Sequence, residues 1–372
     1  MSASAVGVIF SNLHEENVPE LVRRRTMASI PFGGRYRLID FPLSAMVNSG
    51  ITHVGVITKR NYRSLMDHVG SGKDWDLARR NGGFVLLPPF GEKESTSLYG
   101  TRLEALKTVL GFIMRCEEKY ILLSDSNAVY SVDYTPMFRQ HELSGADITM
   151  LYCKKQSADI SGTNNVVLKL DREGNVKEIL TDPRMQGTVN LYGNIILMKK
   201  DLLVSIVSDA IAHGQRHFIK DMIVNQLGEL KIMGYRHDGY FEEISSLTRF
   251  YKVNLGLLDR KVMQKLFGGA GIYTKVKDSA PTVYGENAIV KNSLISDGCV
   301  IEGEVYNSVL YRGVKVGRGT VIRDSVIMKN TFTGENVTLN CVVTDKNVVV
   351  RDKRVLSGAD THPFYISKDT II

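Results

Sequence analysis

The C-terminal quarter of the chain carries a repeat that very few folds can accommodate. After Pro281, glycine, asparagine and aspartate separate aliphatic residues that recur at six-residue intervals. These aliphatic residues run in three phases, through Val283, Ile289, Ile295 and Ile301, through Val316 and Ile322, and through Val337, Val343 and Val349. Hexapeptide periodicity predicts a left-handed parallel β-helix, in which turn residues form the corners and branched side chains stack inside. The alternative is a β-sandwich of short alternating strands.

The N-terminal part has a different pattern, in which short apolar runs alternate with helix-like segments. The predicted strands are Ala5–Phe10, Val54–Thr58, Tyr120–Ser124, Ile148–Cys153, Val166–Leu170 and Asn194–Met198. Continuous apolar runs separated by helices predict an α/β domain with a doubly wound, Rossmann-like parallel sheet. Ligands of such sheets bind at the carboxyl ends of the strands. We therefore expect the loop at Ser11–Val18 and the loop after Ser124 to face a site.

Length and pattern together divide the chain into two domains. We expect an α/β domain over residues 1–260, a linker over 261–280 and the β-helix over 281–372. The exposed ends and flat faces of a β-helix commonly serve oligomerisation. The chain carries a net charge of +7, but its cations are interleaved with 40 acidic residues. This favours anionic small molecules over nucleic acid as ligands.

The remaining composition predicts a protein of the cytoplasm. No apolar run reaches the roughly 18 residues needed to cross a membrane, and the N-terminus lacks a basic leader, so we expect no membrane partner. The four cysteines, Cys116, Cys153, Cys299 and Cys341, are far apart in sequence and have no histidine at ligand spacing. Their spacing favours reduced, mostly buried thiols over a zinc site or a disulfide framework.

The segment Ser29–Ile51, SIPFGGRYRLIDFPLSAMVNSGI, combines tight-turn residues with two cations. Gly33 and Gly34 allow unusual backbone geometry, while Arg35 and Arg37 supply positive charge. These features indicate a loop that meets an anion. The alternative is a glycine turn followed by an ordinary helix with solvated arginines.

This segment, together with the hexapeptide repeat, resembles the bacterial ADP-glucose pyrophosphorylase (glucose-1-phosphate adenylyltransferase) family. The family pattern is approximately P-F-G-G-K-Y-R-[LI]-I-D-F-x-L-S-N-x-x-N-S-G-I, and the resemblance covers nearly the whole chain. Further matching segments are Tyr99–Thr101, Tyr130–Tyr134, His217–Ile223 and the stretch through Tyr240 and Asn254. The resemblance implies a nucleotidyltransferase-like domain followed by a β-helix. It also implies a reaction in which glucose 1-phosphate attacks the α-phosphorus of ATP, assisted by Mg²⁺ and phosphate-binding cations.

Several positions that would carry this chemistry depart from the family pattern. The first loop, Ser11–Asn17, has no glycine to approach a triphosphate and contains Glu15 and Glu16, which would repel one. Met27 stands where the family has a lysine that approaches substrate, and a thioether cannot neutralise phosphate charge. Asp182 replaces the lysine that holds the sugar phosphate, and Leu191 replaces a serine. These substitutions predict that the nucleotide loop and both phosphate contacts are impaired.

The metal-binding positions are also altered. Counting back from Tyr130 places Asn127 where the family has a metal-binding aspartate, and a neutral amide binds Mg²⁺ weakly. Asp125, two residues earlier, could compensate through a shift of the loop, and Glu243 matches the second metal carboxylate. We therefore assign no catalytic residue, metal ligand or cofactor, and expect Mg²⁺ only if Asp125 and Glu243 support residual activity.

An intact scaffold with an altered site is similar to the GlgD-type subunits of the family, which resemble the catalytic subunit but have lost catalytic residues. This implies a regulatory, catalytically impaired subunit that assembles with a homologous catalytic subunit as a heterotetramer. Arg24, Arg25 and Arg37 match basic positions that in the family bind a sugar-phosphate or nucleotide effector between the domains. The alternatives are a weakly active enzyme that makes ADP-glucose and a homo-oligomeric sugar-phosphate sensor.

Overall fold

The computed structural model describes residues 4–88, 99–184 and 186–372, which form an α/β domain followed by a β-helix. The strands of the first domain are β1 (Ala5–Phe10), β2 (Pro31–Phe32), β3 (Tyr36–Arg37), β4 (His53–Ile57), β5 (Gly83–Leu87), β6 (Tyr120–Asp125), β7 (Ala128–Tyr130), β8 (Ile148–Gln156), β9 (Val166–Leu170), β10 (Val176–Thr181), β11 (Thr188–Lys199), β12 (Ile232–Arg236) and β13 (Phe241–Glu243). Its α-helices are α1 (Pro19–Val22), α2 (Asp40–Asn48), α3 (Arg63–Val69), α4 (Arg102–Thr108), α5 (Leu110–Arg115), α6 (Thr135–Ser144), α7 (Lys200–Ala212), α8 (Leu247–Gly256) and α9 (Arg260–Phe267).

The core of the first domain is a twisted sheet with β1 near its centre. Strand β1 pairs in parallel with β4 and β6, and β4 pairs in parallel with β5, which confirms the predicted doubly wound arrangement. Strand β11 runs antiparallel to β6, and β9 and β10 also form an antiparallel pair, so the whole sheet is mixed. The short turn between β9 and β10 explains their antiparallel pairing, because a short hairpin can only connect antiparallel strands.

The sheet register brings two predicted loops together. Phe10 at the end of β1 lies opposite Asp125 at the end of β6. Beyond these residues, the Ser126 hydroxyl donates a hydrogen bond to the Phe10 carbonyl at 2.8 Å. The loop after β1 and the loop after β6 therefore meet at the carboxyl edge of the sheet, as the alternation of strands and helices predicted.

The second domain consists of three parallel five-stranded sheets. One sheet contains β14 (Val283–Tyr284), β17 (Val300–Ile301), β20 (Lys315–Val316), β23 (Phe332–Thr333) and β26 (Val349–Val350). The second contains β15 (Ile289–Lys291), β18 (Glu304–Tyr306), β21 (Val321–Arg323), β24 (Thr338–Asn340) and β27 (Val355–Ser357). The third contains β16 (Leu294–Ile295), β19 (Val309–Leu310), β22 (Val326–Ile327), β25 (Val342–Thr344) and β28 (Phe364–Ile366). This left-handed β-helix confirms the hexapeptide prediction over the β-sandwich.

The repeat predicted most of the β-helix interior, but not its ends. Ile301, Val316, Ile322, Val337 and Val343 are all buried, whereas Val283 and Ile289 are exposed because they belong to the first coil and have coil contacts on one side only. In the last predicted phase, Val349 is only half-buried, and its neighbour Val350 is buried instead. The coils differ in length from three full hexapeptides, with 15 residues from Val300 to Lys315 and 17 from Lys315 to Phe332, so the six-residue spacing is not kept along the β-helix.

The segment Ser29–Ile51 lies between the two domains. The backbone N–H of Gly33 donates to the side-chain oxygen of Asn254 in α8, which also accepts a hydrogen bond from the Tyr311 hydroxyl of the β-helix. Phe32 and Phe41 pack in one apolar cluster with β-helix residues that include Val326. The glycine turn of this segment is therefore part of the domain interface.

The segment expected as the linker, residues 261–280, begins inside a helix. Helix α9 occupies the first residues of the expected linker, is capped by the Asp259 carboxylate and buries Leu266. The chain then runs without regular secondary structure until β14 begins at Val283. Over the described ranges, none of the helices combines the length and apolar character needed to cross a membrane.

Candidate functional site

A cavity of about 690 Å³ opens at the carboxyl edge of the sheet. The loop after β1 supplies Asn12 to Glu16, β6 supplies Asp125, and the N-terminus of α4 supplies Thr101 and Arg102. Its rim carries the cations Arg23, Lys59, Arg60 and Lys220, together with His217. The segments around Thr101 and His217, which resemble the family, thus border the same cavity. Glu15 and Glu16 also line it, where their charge opposes binding of a triphosphate.

The centre of this cavity is a buried ion cluster around Asp125. One oxygen, Oδ2, accepts hydrogen bonds from His14 Nε2 at 2.7 Å and from an Arg102 guanidinium nitrogen at 2.6 Å. The Asp125 side chain is only 1% exposed. Its other oxygen, Oδ1, is buried and has no hydrogen-bond partner among the described residues. The Arg102 guanidinium therefore supplies positive charge that balances Asp125, and His14 occupies the same carboxylate oxygen.

The ionisation of the cluster follows from these contacts. Burial disfavours a charged carboxylate, but the charge of Arg102 and the hydrogen bond from His14 outweigh it and lower the pKa of Asp125. For His14, burial favours the neutral imidazole, yet Asp125 outweighs this effect and raises the pKa of His14. The cluster is thus a stable set of opposite charges that leaves little attraction for a further cation.

The residues at this position do not fit a magnesium ion. Mg²⁺ needs near-octahedral oxygen ligands, usually carboxylates and several waters. Asp125 Oδ2 is already shared by His14 and Arg102, and Glu243 Oε1 accepts a hydrogen bond from Asn194 at 3.0 Å. Burial, the largest influence on Glu243, raises the pKa of that carboxyl group. We therefore derive no metal-assisted step for this chain.

The other altered positions lie around the cavity or away from it. Met27 is fully buried in the apolar cluster at the domain interface, and Leu191 is buried in β11. Asn127 and Glu243 line a small neighbouring cavity. Asp182 is exposed and accepts hydrogen bonds from the backbone N–H groups of Asn164 and Asn165, at 3.0 and 2.8 Å. Among Met27, Asp125, Asn127, Asp182, Leu191 and Glu243, the residue that lines the main cavity is Asp125.

A second, strongly basic cavity lies between the domains, and Arg37 is part of it. Its other basic residues come from the first domain, the interdomain connection and the β-helix, and they are Arg35, Lys275, Lys277, Arg312, Lys329 and Lys346. Burial, strengthened by Arg37 and Arg25, lowers the pKa of Lys346 to about 6. Burial beside Lys329 likewise lowers the pKa of Lys277 to about 8. Such depressed lysine pKa values indicate a concentration of positive charge that an anion would relieve.

The three arginines predicted as one group do not meet at a single point. Arg37 lines the basic cavity and donates a hydrogen bond to Ser64 Oγ at 3.0 Å. Arg25 is buried against Asp345, whose neighbour Lys346 lies in the cavity, while Arg24 is exposed and pairs with Asp369 at 2.8 Å. Arg25 therefore borders the basic cavity through its ion pair, and Arg24 points away to the surface.

Sequence reasoning missed most of the cations of the interdomain cavity, although one signal was present. Arg312, Lys329 and Lys346 are separated by 17 residues each, which is the length of these coils, so they stack at one corner of the β-helix. A search for charge at the coil period, rather than at six residues, would have found them. The pairing of His14 and Arg102 with Asp125 left no such signal, because it joins residues far apart in sequence.

Comparison with known proteins agrees with this architecture. The nucleotidyl transferase family model matches residues 19–261, and the model of the GlmU-like C-terminal hexapeptide matches residues 279–372. The fold and the cavity at the strand ends thus define a protein of the nucleotidyltransferase class with a hexapeptide β-helix.

Relatives that match over most of their length show which family of nucleotidyltransferase-like proteins the chain belongs to. The chain is 34% identical over 372 residues to the glycogen biosynthesis protein GlgD of Geobacillus stearothermophilus. This alignment covers 100% of this chain and 98% of that protein. Identity to GlgD of Bacillus subtilis is 31%, covering 98% and 96%. Identity to a glucose-1-phosphate adenylyltransferase of Clostridium perfringens is 29%, covering 88% and 84%. The chain belongs to the family of GlgD glycogen biosynthesis proteins and glucose-1-phosphate adenylyltransferases.

Proposed function

We propose that this chain is a regulatory, catalytically impaired subunit of glucose-1-phosphate adenylyltransferase that modulates a homologous catalytic subunit. It would act in the cytoplasm in ADP-glucose synthesis for glycogen, as part of a heterotetramer. The β-helix offers flat faces for such an assembly. The relatives named GlgD support a role in glycogen synthesis, and the altered cavity supports impaired catalysis.

The observation that carries this proposal is the pairing of Asp125 with His14 and Arg102. Transfer of a nucleotidyl group needs cations that stabilise the charge developing on the phosphates. A carboxylate can hold a metal ion for this purpose only if its charge is available. Because the charge of Arg102 balances Asp125 and His14 shares the same carboxylate oxygen, we expect the cavity to lack the metal centre of an active enzyme.

The basic cavity between the domains supports the regulatory part of the proposal. We propose that it binds the phosphate of a sugar phosphate or nucleotide effector through Arg37, Lys329 and Lys346, with Arg25 at its border. An anion there would contact the α/β domain and the β-helix at once. Binding would therefore favour one relative position of the two domains, which is how an effector can reach a neighbouring subunit.

Activity assays of separate and combined subunits test the proposal. The purified chain alone, with ATP, Mg²⁺ and glucose 1-phosphate, should turn over at least about 10²-fold more slowly than a homologous catalytic subunit. Mixed with that catalytic subunit, it should form a complex whose KM or effector response differs from that of the catalytic subunit alone. Turnover by the chain alone that matched the catalytic subunit would overturn the proposal.

Two further measurements separate the alternatives. If the chain is a weak enzyme that uses Asp125, the substitution Asp125→Asn should abolish its residual turnover, whereas our proposal expects no change. If it is a homo-oligomeric sensor, sedimentation should show a stable assembly of this chain that excludes the catalytic homologue. Formation of a mixed complex that changes turnover would instead support the regulatory subunit.

A further inference from the structure

A cluster of three potential metal ligands lies at the edge of the sheet opposite the cavity. His53 is the first residue of β4, and Cys116 and Glu118 lie between α5 and the start of β6. These are the amino ends of parallel strands, whereas the cavity with Asp125 lies at their carboxyl ends. The cluster is therefore separate from the nucleotidyltransferase-like site and independent of its proposed function.

The spacing of the three donor atoms is close to that of a zinc site. His53 Nδ1 lies 2.8 Å from Glu118 Oε1, and one donor atom from each of the three residues lies within 4.8 Å of the others. Tetrahedral zinc with bonds of about 2.0–2.3 Å places its ligands about 3.3–3.8 Å apart. Side-chain shifts of about 1 Å or less would thus bring imidazole nitrogen, thiolate sulfur and carboxylate oxygen around one ion.

The cluster also contains a buried carboxylate oxygen that no described protein group satisfies. Glu118 Oε2 is buried and has no hydrogen-bond partner within the described ranges. Cys116 is 4% exposed, and its thiol contacts the Phe112 carbonyl at 3.3 Å. An unpaired buried carboxylate oxygen is costly, and coordination of a cation would remove this cost.

The backbone around the ligands is held in place by residues outside the cluster. Ser4 accepts a hydrogen bond from the Tyr120 N–H at 3.0 Å, and the Lys200 N–H donates to the Lys119 carbonyl at 3.0 Å. The Lys200 ammonium donates to the Cys116 carbonyl. On the other side, β4 is fixed in the sheet and the His53 ring meets the edge of Phe112, with ring centres 5.4 Å apart. Little ordering would therefore be needed on metal binding.

We propose that His53, Cys116 and Glu118 bind a zinc ion, with water as the fourth ligand. This donor set favours Zn²⁺ over Mg²⁺, because thiolate and imidazole are soft or borderline ligands. On binding, the Cys116 thiol releases its proton to solvent, and the His53 imidazole keeps its proton on Nε2. The charges of Zn²⁺, one thiolate and one carboxylate sum to zero, which suits a half-buried position.

Without metal, the thiol is inert. Burial and the charge of Glu118 raise the pKa of Cys116 to about 11, so the thiol is protonated near neutral pH. Because zinc binds the thiolate form of cysteine, metal binding competes with a proton and should weaken as the pH falls. Fixation of the amino ends of β4 and β6 by one ion would stabilise the sheet that supports the cavity on its opposite edge.

Cobalt titration of the tag-free, metal-free chain tests this site. Co²⁺ is a spectroscopic substitute for zinc, and we expect about one equivalent to bind with a near-ultraviolet sulfur-to-cobalt charge-transfer band that Zn²⁺ removes. Cys116→Ser should abolish the band, and Glu118→Gln, which keeps the side-chain size, should weaken binding by about tenfold or more. Millimolar Mg²⁺ should leave the band unchanged.

Matched variants make the outcome decisive. Cys299→Ser replaces another buried thiol, which lies in the β-helix, and should keep the full band. Asp125→Asn alters the main cavity and should also keep the full band. Failure of the zinc proposal is therefore distinguishable from failure of the proposed regulatory function. Absence of the band in the parent chain, or its persistence in Cys116→Ser, would overturn the zinc site. If Cys116→Ser does not fold, Glu118→Gln and His53→Gln decide the question through their affinities.

Discussion

Arg25 in the first domain and Asp345 in the β-helix form a buried ion pair across the domain interface. A guanidinium nitrogen of Arg25 lies 2.6 and 2.8 Å from the two carboxylate oxygens of Asp345. The Tyr365 hydroxyl and the Lys346 backbone N–H also donate to this carboxylate. Because both charged side chains are 4% exposed, the pair is well shielded from water. It connects the basic cavity of the interface with the segment of the first domain that contains Arg24 and Arg25.

We expect Asp345→Asn to destabilise the protein by about 3–5 kcal/mol, because it leaves the Arg25 charge buried without a counterion. Chemical denaturation would measure the change. The matched control is Asp369→Asn, which removes the partner of the exposed Arg24 and should have little measurable effect. Equal losses in the two variants would contradict the importance of burial for this pair.

Gly34 permits the close contact between the domains. Its φ of +82° is strained for other residues, and an added Cβ would lie 2.2 Å from the Ser296 Oγ in the β-helix. Gly50 is a matched control, with φ of +81° and no atom within 4 Å of an added Cβ. We expect Gly50→Ala to cost about 1–2 kcal/mol and Gly34→Ala to cost about 1–3 kcal/mol more.

Thermal unfolding of both glycine variants would measure this difference. Adding Ser296→Ala to Gly34→Ala removes the clashing hydroxyl and should restore part of the stability. If Gly34→Ala and Gly50→Ala lowered the free energy of unfolding equally, the contact between Gly34 and the β-helix would not contribute to the cost of the substitution.

Lys346 should make stability depend on pH. Its pKa is about 6 in the folded protein against 10.5 for a free lysine, so between these values the unfolded chain binds more protons and stability rises with pH. Lys346→Met should therefore raise Tm most near pH 6, and this gain should shrink towards pH 10. The exposed Lys315 provides the control Lys315→Met, which should show no such trend. A gain from Lys346→Met that did not vary with pH would contradict the assignment.

Lys329 should contribute directly to anion binding between the domains. We expect Lys329→Gln to weaken binding of inorganic pyrophosphate and of a sugar phosphate by about tenfold, the loss typical of one charged hydrogen bond. Isothermal titration calorimetry would measure the affinities. Lys315→Gln removes an exposed lysine of β20, which does not line the cavity, and should leave these affinities unchanged. Unaltered anion binding by the Lys329 variant would show that the effector does not bind in this cavity.

The neutralised Asp125 should be convertible into a metal ligand. The combined substitutions His14→Gln and Arg102→Met remove the two side chains that hold Asp125 Oδ2, so we expect the variant to gain a Mn²⁺ site, seen by electron paramagnetic resonance, that the parent cavity lacks. A Cys116→Ser background keeps the proposed zinc site out of the measurement. Addition of Asp125→Asn should abolish the gained site. Equal Mn²⁺ binding before and after removal of His14 and Arg102 would contradict the role of these cations.

The sequence predicted those parts of the structure that depend on local patterns. Ala5–Phe10 and Val166–Leu170 are strands with the predicted bounds, because continuous apolar runs of this length are stable only when buried in a sheet. The loop after β1 and the loop after β6 line the cavity, since strands in a parallel sheet end at the same edge. The prediction of parallel strands was wrong at β9 and β10, which a short hairpin turn joins as an antiparallel pair.

By itself, the sequence determined the two domains, the β-helix and the position of the cavity, because periodicity and strand order act over short distances along the chain. Only the tertiary structure decided which ionisable side chains are paired within each site. His14 and Asp125 are 111 positions apart, and Arg25 and Asp345 are 320 apart. Likewise, only folding brings His53 next to Cys116 and Glu118, a cluster that cysteine spacing gave no reason to expect. Electrostatic interactions depend on distance in space, and the fold sets that distance.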